Sequence, residues 1–141
     1  MPHDSSDNVG YSIEYEGVVF TLLTDVGHIT EEMKAIIRNT DYLVIEANYD
    51  LQMLQNGPYP RHLQERIQCG TGHLSNAQCG AALVENYTER LKHIWLCHLS
   101  EENNHPELAR KSIEQALSDA GIKVKLDVLR RKQPTGVFEL V

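Results

Sequence analysis

The sequence predicts an α/β domain built on a largely parallel sheet. Three observations predict it. Short apolar runs at Val18–Thr24, Tyr42–Ile45 and His93–Cys97 alternate with longer stretches of helical periodicity, the order that generates parallel strands with crossover helices. Those runs are apolar on both faces, as strands covered from both sides should be. Each run also stops abruptly at a polar residue, Asp25, Glu46 and His98 in turn.

Taken in order, Met1–Asn8 is polar and turn-rich, and Val9–Tyr15 alternates with Val9, Tyr11, Ile13 and Tyr15 on one face, as in a half-buried strand. Glu16-Gly17 is a tight-turn pair, so this strand should form a hairpin with Val18–Thr24. Thr30 is placed to cap a helix over Glu31–Asn39, with Glu31 and Glu32 favourably set against its dipole and Met33, Ile36 and Ile37 as its apolar stripe. Beyond Glu46 the stretch Asp50–Pro60 reads as a helical turn and a loop, and Pro60 starts a helix running to Cys69. Gly70-Thr71-Gly72 breaks that helix. His73 follows, and Ser75 is a good N-cap for a helix over Asn76–Glu89 whose apolar face is Leu74, Ala77, Ala81 and Val84. Pro106 and Gly121 bracket a further helix with Leu108, Ala109, Ile113, Ala116, Leu117 and Ala120 as its buried stripe. Val124–Leu129 alternates as a strand, Gln133–Gly136 turns, and Val137–Val141 reads as a last strand.

The 141 residues fit one domain, and 41% hydrophobic against 23% charged residues is a globular balance rather than a disordered one. A formal charge of -7 argues against a broad phosphate-binding surface, which needs a basic footprint, although a nucleic acid could still be held through metal ions. Cys69, Cys79 and Cys97 are odd in number and form no CxxC pair, which suits small buried hydrophobes in a reducing cytoplasm. No apolar run reaches membrane-spanning length, and no signal-peptide pattern opens the chain. A soluble cytoplasmic setting, without a membrane partner, is the expectation.

In open α/β sheets ligands sit beyond the carboxyl ends of the strands. If the three apolar strands are parallel neighbours, Asp25, Glu46 and His98 lie along one rim, roughly 5–10 Å apart from strand to strand, with His73 in the loop before the last of them. Carboxylates and imidazoles with open positions are the ligand set of catalytic zinc, manganese or iron. The competing reading is ordinary, since strands often end at polar residues. Nucleophilic catalysis is the weaker rival. Ser75 and Ser100 each follow a histidine by two residues but lie in no GxSxG elbow, and Cys97 lies inside an apolar strand. No GxGxxG or GxxxxGK(S/T) run is present.

The segments HDSSDNVGYSIE at His3, LLTDVGHIT at Asp25, LVIEANYDLQMLQNGPYP at Glu46, GTGHLSN at His73 and WLCHLSEENN at His98 together resemble the second half of the metallo-β-lactamase superfamily, within its YycJ/WalJ (VicX) branch of hydrolases. The resemblance implies an αββα sandwich with a two-metal site at one edge, of which this chain supplies a mixed sheet with helices on one face. It implies His3, Asp25 and His98 as metal ligands, with Asp25 bridging two divalent ions, zinc or manganese. It implies His73 as a catalytic residue that contacts the scissile phosphate or donates a proton, and Glu46 and Asn48 as supporting groups that orient it. His28 is expected in a supporting or loop position. His62, His93 and His105 are expected to be structural or exposed. The superfamily's first metal motif, HxHxDH, is absent, so residues 1–141 are expected to correspond to the C-terminal half of such a domain.

Two functions follow from that resemblance. The complete protein would be a metal-dependent hydrolase, a phosphodiesterase or nuclease acting on nucleic acid. Alternatively this chain would be a non-catalytic half-domain serving a structural or interaction role. In either case its helix-free sheet face would lack its usual cover. A bare apolar face of that size exceeds what soluble monomers tolerate, so a homodimer or association with the missing half is expected.

Overall fold

The computed structural model describes residues 10–69 and 72–130, so His3 and the expected strand at Val137–Val141 lie outside the described residues. Among the described residues five strands form one sheet in the order β1(Tyr11–Tyr15), β2(Val18–Leu23), β3(Tyr42–Glu46), β4(His93–Cys97), β5(Lys125–Val128). β1 is antiparallel to β2, and the remaining neighbours are parallel. This is the mixed sheet that the sequence predicts. The β1–β2 hairpin turns on Glu16 at φ +51° and Gly17 at φ +82°, the pair of left-handed residues that a two-residue turn of this hand requires.

Three helices carry the crossovers: α1(Glu31–Arg38) between β2 and β3, α4(Asn76–Asn86) before β4, and α5(Pro106–Asp119) between β4 and β5. Between β3 and α4 lie two shorter helices, α2(Leu51–Asn56) and α3(Arg61–Gln68). Their starts follow the chemistry at their caps. Thr30 accepts from Met33 N–H, Asp50 from Met53 N–H, and Ser75 with Gln78 forms a reciprocal capping box. Sequential strand order with a constant crossover hand sends the crossover helices to one face. There Met33, Ile37, Cys79, Leu83, Ala109, Ile113 and Leu117 pack on Leu23, Leu43, Ile45, Ile94 and Leu96. α4 is rotated from the expected orientation: Ala77 and Ala81 are exposed, and Cys79, Gly80 and Leu83 face inward. A Cβ at Gly80 would lie 3.2 Å from the Ala116 methyl, so the glycine admits a close approach of α4 to α5 on this face.

The other face carries Tyr42, Val44, Trp95 and Cys97, all buried, with Val18, Phe20, Leu22 and Leu129 beside them. Its aromatic rings partly shelter one another: His93 stacks on Trp95 at 3.9 Å, and Trp95 meets Tyr42 at 6.1 Å. The expected bare face is therefore limited to one edge. Tyr11, Ile13 and Tyr15, in register with Leu22, Phe20 and Val18, are 57%, 61% and 74% exposed. The expected half-burial of this strand does not occur: among the described residues β1 pairs with β2 alone, and all five of its residues are exposed. No helix among the described residues is long and apolar enough to cross a membrane.

Candidate metal centre

Register places the chemistry. Leu23 pairs with Ile45, Ile45 with Leu96, and Glu46 with Cys97, so β2, β3 and β4 all run out at one level. Asp25, Glu46 and His98 consequently share a rim. The β3–α4 connection returns to the same place through a parallel bridge between Tyr49 and Ser75, which brings His73 over Glu46. One ligand atom from each of Asp25, Glu46, His73 and His98 lies within 4.8 Å of the others.

Glu46 is the hub. It is fully buried, yet four donors converge on its carboxylate. Oε2 accepts from Val26 N–H at 3.2 Å and Leu74 N–H at 3.1 Å; Oε1 pairs with His73 Nδ1 at 2.9 Å and with His98 Nδ1. A carboxylate has about four acceptor positions, so this environment satisfies the group. Burial pushes its pKa up, but the hydrogen bonds from His73 and His98, the charge of His73 and the Leu74 N–H outweigh that and hold it below the ordinary glutamate value. The result is an ionised carboxylate in the core, which pins the loop after β2, the loop before α4 and the end of β4 to one another.

Around this hub, Asp25 and His98 are half-exposed, and His98 Nδ1 lies 3.4 Å from Asp25 Oδ1. The His73 and His98 rings meet edge to face at 5.3 Å. His28 is exposed in the β2–α1 loop and lies outside the four-residue cluster. Asn48 is buried, but its target differs from the expected one. Its Nδ2 donates to the His98 carbonyl at 2.7 Å, so it serves the main chain of His98 rather than the His73 ring. The reason is local: two residues beyond Glu46 the chain has turned toward β4, and Asn48 O accepts from Ser100 N–H.

The residues weighed as nucleophiles have other roles. Ser75 caps α4, Ser100 Oγ accepts from Asn103 N–H, and burial pushes the Cys97 thiol up to about 12. His105 caps α5, His62 is exposed, and His93 pairs with Asp127 at 2.7 Å. Sequence reasoning missed Asn76 and Asn104. Both are buried, they exchange amide hydrogen bonds at 3.0 and 2.9 Å, and Asn104 also donates to the Ala47 carbonyl. The available signal was the Asn103-Asn104 pair in the polar segment after His98.

No protein-family profile matches the chain. It is 36% identical over 124 residues to the exodeoxyribonuclease YycJ of Bacillus anthracis, covering 88% of this chain and 47% of that protein. It is 38% identical over 127 residues to the exodeoxyribonuclease WalJ of Streptococcus pneumoniae serotype 2, strain D39, covering 90% and 47%. The chain thus spans about half the length of the curated relatives it matches. Among solved structures it resembles zinc-bound PqqB from Methylobacterium extorquens, with a TM-score of 0.52 at 18% identity over 85% of this chain and 42% of that one. That likeness concerns the fold.

Proposed function

This chain belongs to the YycJ/WalJ branch of the metallo-β-lactamase-fold proteins, and we propose on that premise that it forms the C-terminal half of a metal-dependent phosphodiesterase acting on DNA. The observation that carries the reading is the convergence of Asp25, Glu46, His73 and His98 on one rim, in a chain similar to named exodeoxyribonucleases. Carboxylate and imidazole donors at this spacing fit zinc or manganese. Asp25 and His98 would hold the ions, with His3 as a further ligand. Bound divalent ions lower the pKa of a coordinated water and polarise a phosphoryl oxygen.

The chain's own residues supply orientation and a proton. With Glu46 ionised, a neutral His98 that donates through Nδ1 keeps its lone pair on Nε2, the atom left to bind a metal. His73 is held at Nδ1 by the same carboxylate, and in its cationic form it would carry on Nε2 a proton that could pass to the departing oxygen. The charge of -7 argues against a broad basic footprint, so contact with the phosphates would fall to the metals and a few cations. A cytoplasmic setting accords with Cys69, Cys79 and Cys97 being free thiols.

The test is hydrolysis of end-labelled DNA by the complete protein with manganese or zinc. Asp25→Ala and His98→Ala should each reduce turnover by at least a thousandfold and lower the bound metal. Full turnover with normal metal content in either variant would refute the assignment. A second reading, a non-catalytic interaction module, is favoured by one observation, the exposed Tyr11, Ile13 and Tyr15 edge. The chain alone should then form a dimer in solution, or bind a half-domain carrying HxHxDH. Activity recovered only in the mixture would identify a split enzyme.

A further inference from the structure

We infer that Asn48 is a positioning residue that sets the main-chain conformation from which His98 is presented, an inference that rests on the reading of His98 as a metal ligand. β3 and β4 pair regularly as far as the bond from Ala47 N–H to Cys97 O at 3.0 Å. The next inter-strand backbone bond is Ser100 N–H to Asn48 O at 2.7 Å, and the Ala47 carbonyl is taken instead by the Asn104 amide. His98 and Leu99 therefore leave the ladder as a local bulge, a device that re-aims a side chain beside a site.

At the bulge His98 adopts φ +57°, in the left-handed region that non-glycine residues occupy uncommonly, histidine more readily than most, and that the surroundings must hold in place. The support is the Asn48 amide, whose Nδ2 donates to the His98 carbonyl at 2.7 Å. Asn48 is itself fixed on both sides, donating its N–H to Leu74 O at 2.9 Å and accepting from Ser100 N–H. One exit from β3 thus serves the same histidine twice: Glu46 holds its ring and Asn48 holds its backbone. Without the amide, His98 is free to relax toward ordinary extended backbone, which would swing its ring off the rim. Partners of this kind behind a metal ligand are worth 10–100-fold in metal affinity.

The experiment compares wild type, Asn48→Ala and Asn76→Ala in the complete protein. It reads manganese and zinc affinity by titration and the His98 backbone by its 13Cα and carbonyl chemical shifts. Asn76 is the control, since it is a buried amide of the same rim with no bond to His98. The expected result is a 10–100-fold loss of metal affinity and loss of the left-handed shift signature at His98 in Asn48→Ala, with both retained in Asn76→Ala. Should Asn48→Ala fail to fold, Asn48→Ser, which falls short of the His98 carbonyl, carries the same expectation. Affinity within twofold of wild type together with an unmoved His98 signature overturns the inference while leaving the proposed function intact. If wild type binds no metal, the proposed function fails, and the His98 shifts alone decide: a moved signature supports the backbone role and an unmoved one overturns it.

Discussion

Asp25 and His98 leave their strands in the same unusual way. Each follows an apolar strand, each adopts a left-handed backbone conformation, at φ +55° and +57°, and each points toward the other across Glu46 with Oδ1 and Nδ1 3.4 Å apart. Left-handed backbone at a non-glycine residue stores roughly 1–2 kcal/mol. Here that strain falls on the two described residues read as metal ligands, which is where fixed presentation is worth more than local stability.

That pairing predicts opposite effects on stability and binding. Asp25→Gly should fit the same backbone without strain, raising unfolding stability in urea by about 1 kcal/mol while abolishing metal binding. A urea melt and a metal titration on the same preparation check both halves of the expectation.

Glu46 makes stability depend on pH with a definite sign. Its pKa is lowered in the folded chain, so the unfolded state binds the proton more readily. The contribution to stability is complete above pH 4.5, the ordinary glutamate value, and is lost as pH falls below it through the folded pKa. Glu46→Gln should flatten the stability–pH curve in that acidic window. Glu46→Ala should cost on the order of 3 kcal/mol at neutral pH, because it leaves the buried Val26 and Leu74 donors unpaired. Denaturation midpoints measured from pH 3 to pH 7 separate the two variants.

Gly72 sets the position of His73 through the end of α3. A Cβ there would lie 2.3 Å from the Ile67 carbonyl oxygen and 2.5 Å from that of Arg66, both rigid backbone atoms, and Ile67 O is the acceptor for His73 N–H. Gly72→Ala should therefore push the His73 loop off Glu46. The expected outcome is a fall in kcat of about tenfold or more with little change in metal content, since a misplacement near 1 Å is enough for such losses. Steady-state kinetics beside metal analysis provide the check.

The three thiols should react in two classes. Cys69 is exposed, whereas Cys79 and Cys97 are buried and their thiols are pushed up by that burial, Cys97 to about 12. A disulfide reagent at pH 8 should modify one thiol per chain rapidly, and the other two only at the rate of unfolding. Mass spectrometry of the modified peptides identifies which cysteine reacts first.

What the sequence by itself determined is the part governed by short-range pattern. Apolar runs on two faces marked β2, β3 and β4 as interior parallel strands. Caps at Thr30 and Ser75 and the proline at position 106 marked the helix starts, and the polar stops at Asp25, Glu46 and His98 marked one rim. Tertiary structure decided everything that depends on partners about 20 to 57 residues away along the chain. It joined Glu46 to both His73 and His98, sent Asn48 to the His98 carbonyl, set Asn104 against Ala47, and turned α4 so that Gly80 rather than Ala77 and Ala81 meets its neighbour. The physical reason is one of range. Periodicity and capping are fixed by residues within a turn or two of each other, whereas a buried amide or carboxylate takes whichever donor or acceptor strand register and loop return bring within about 3 Å.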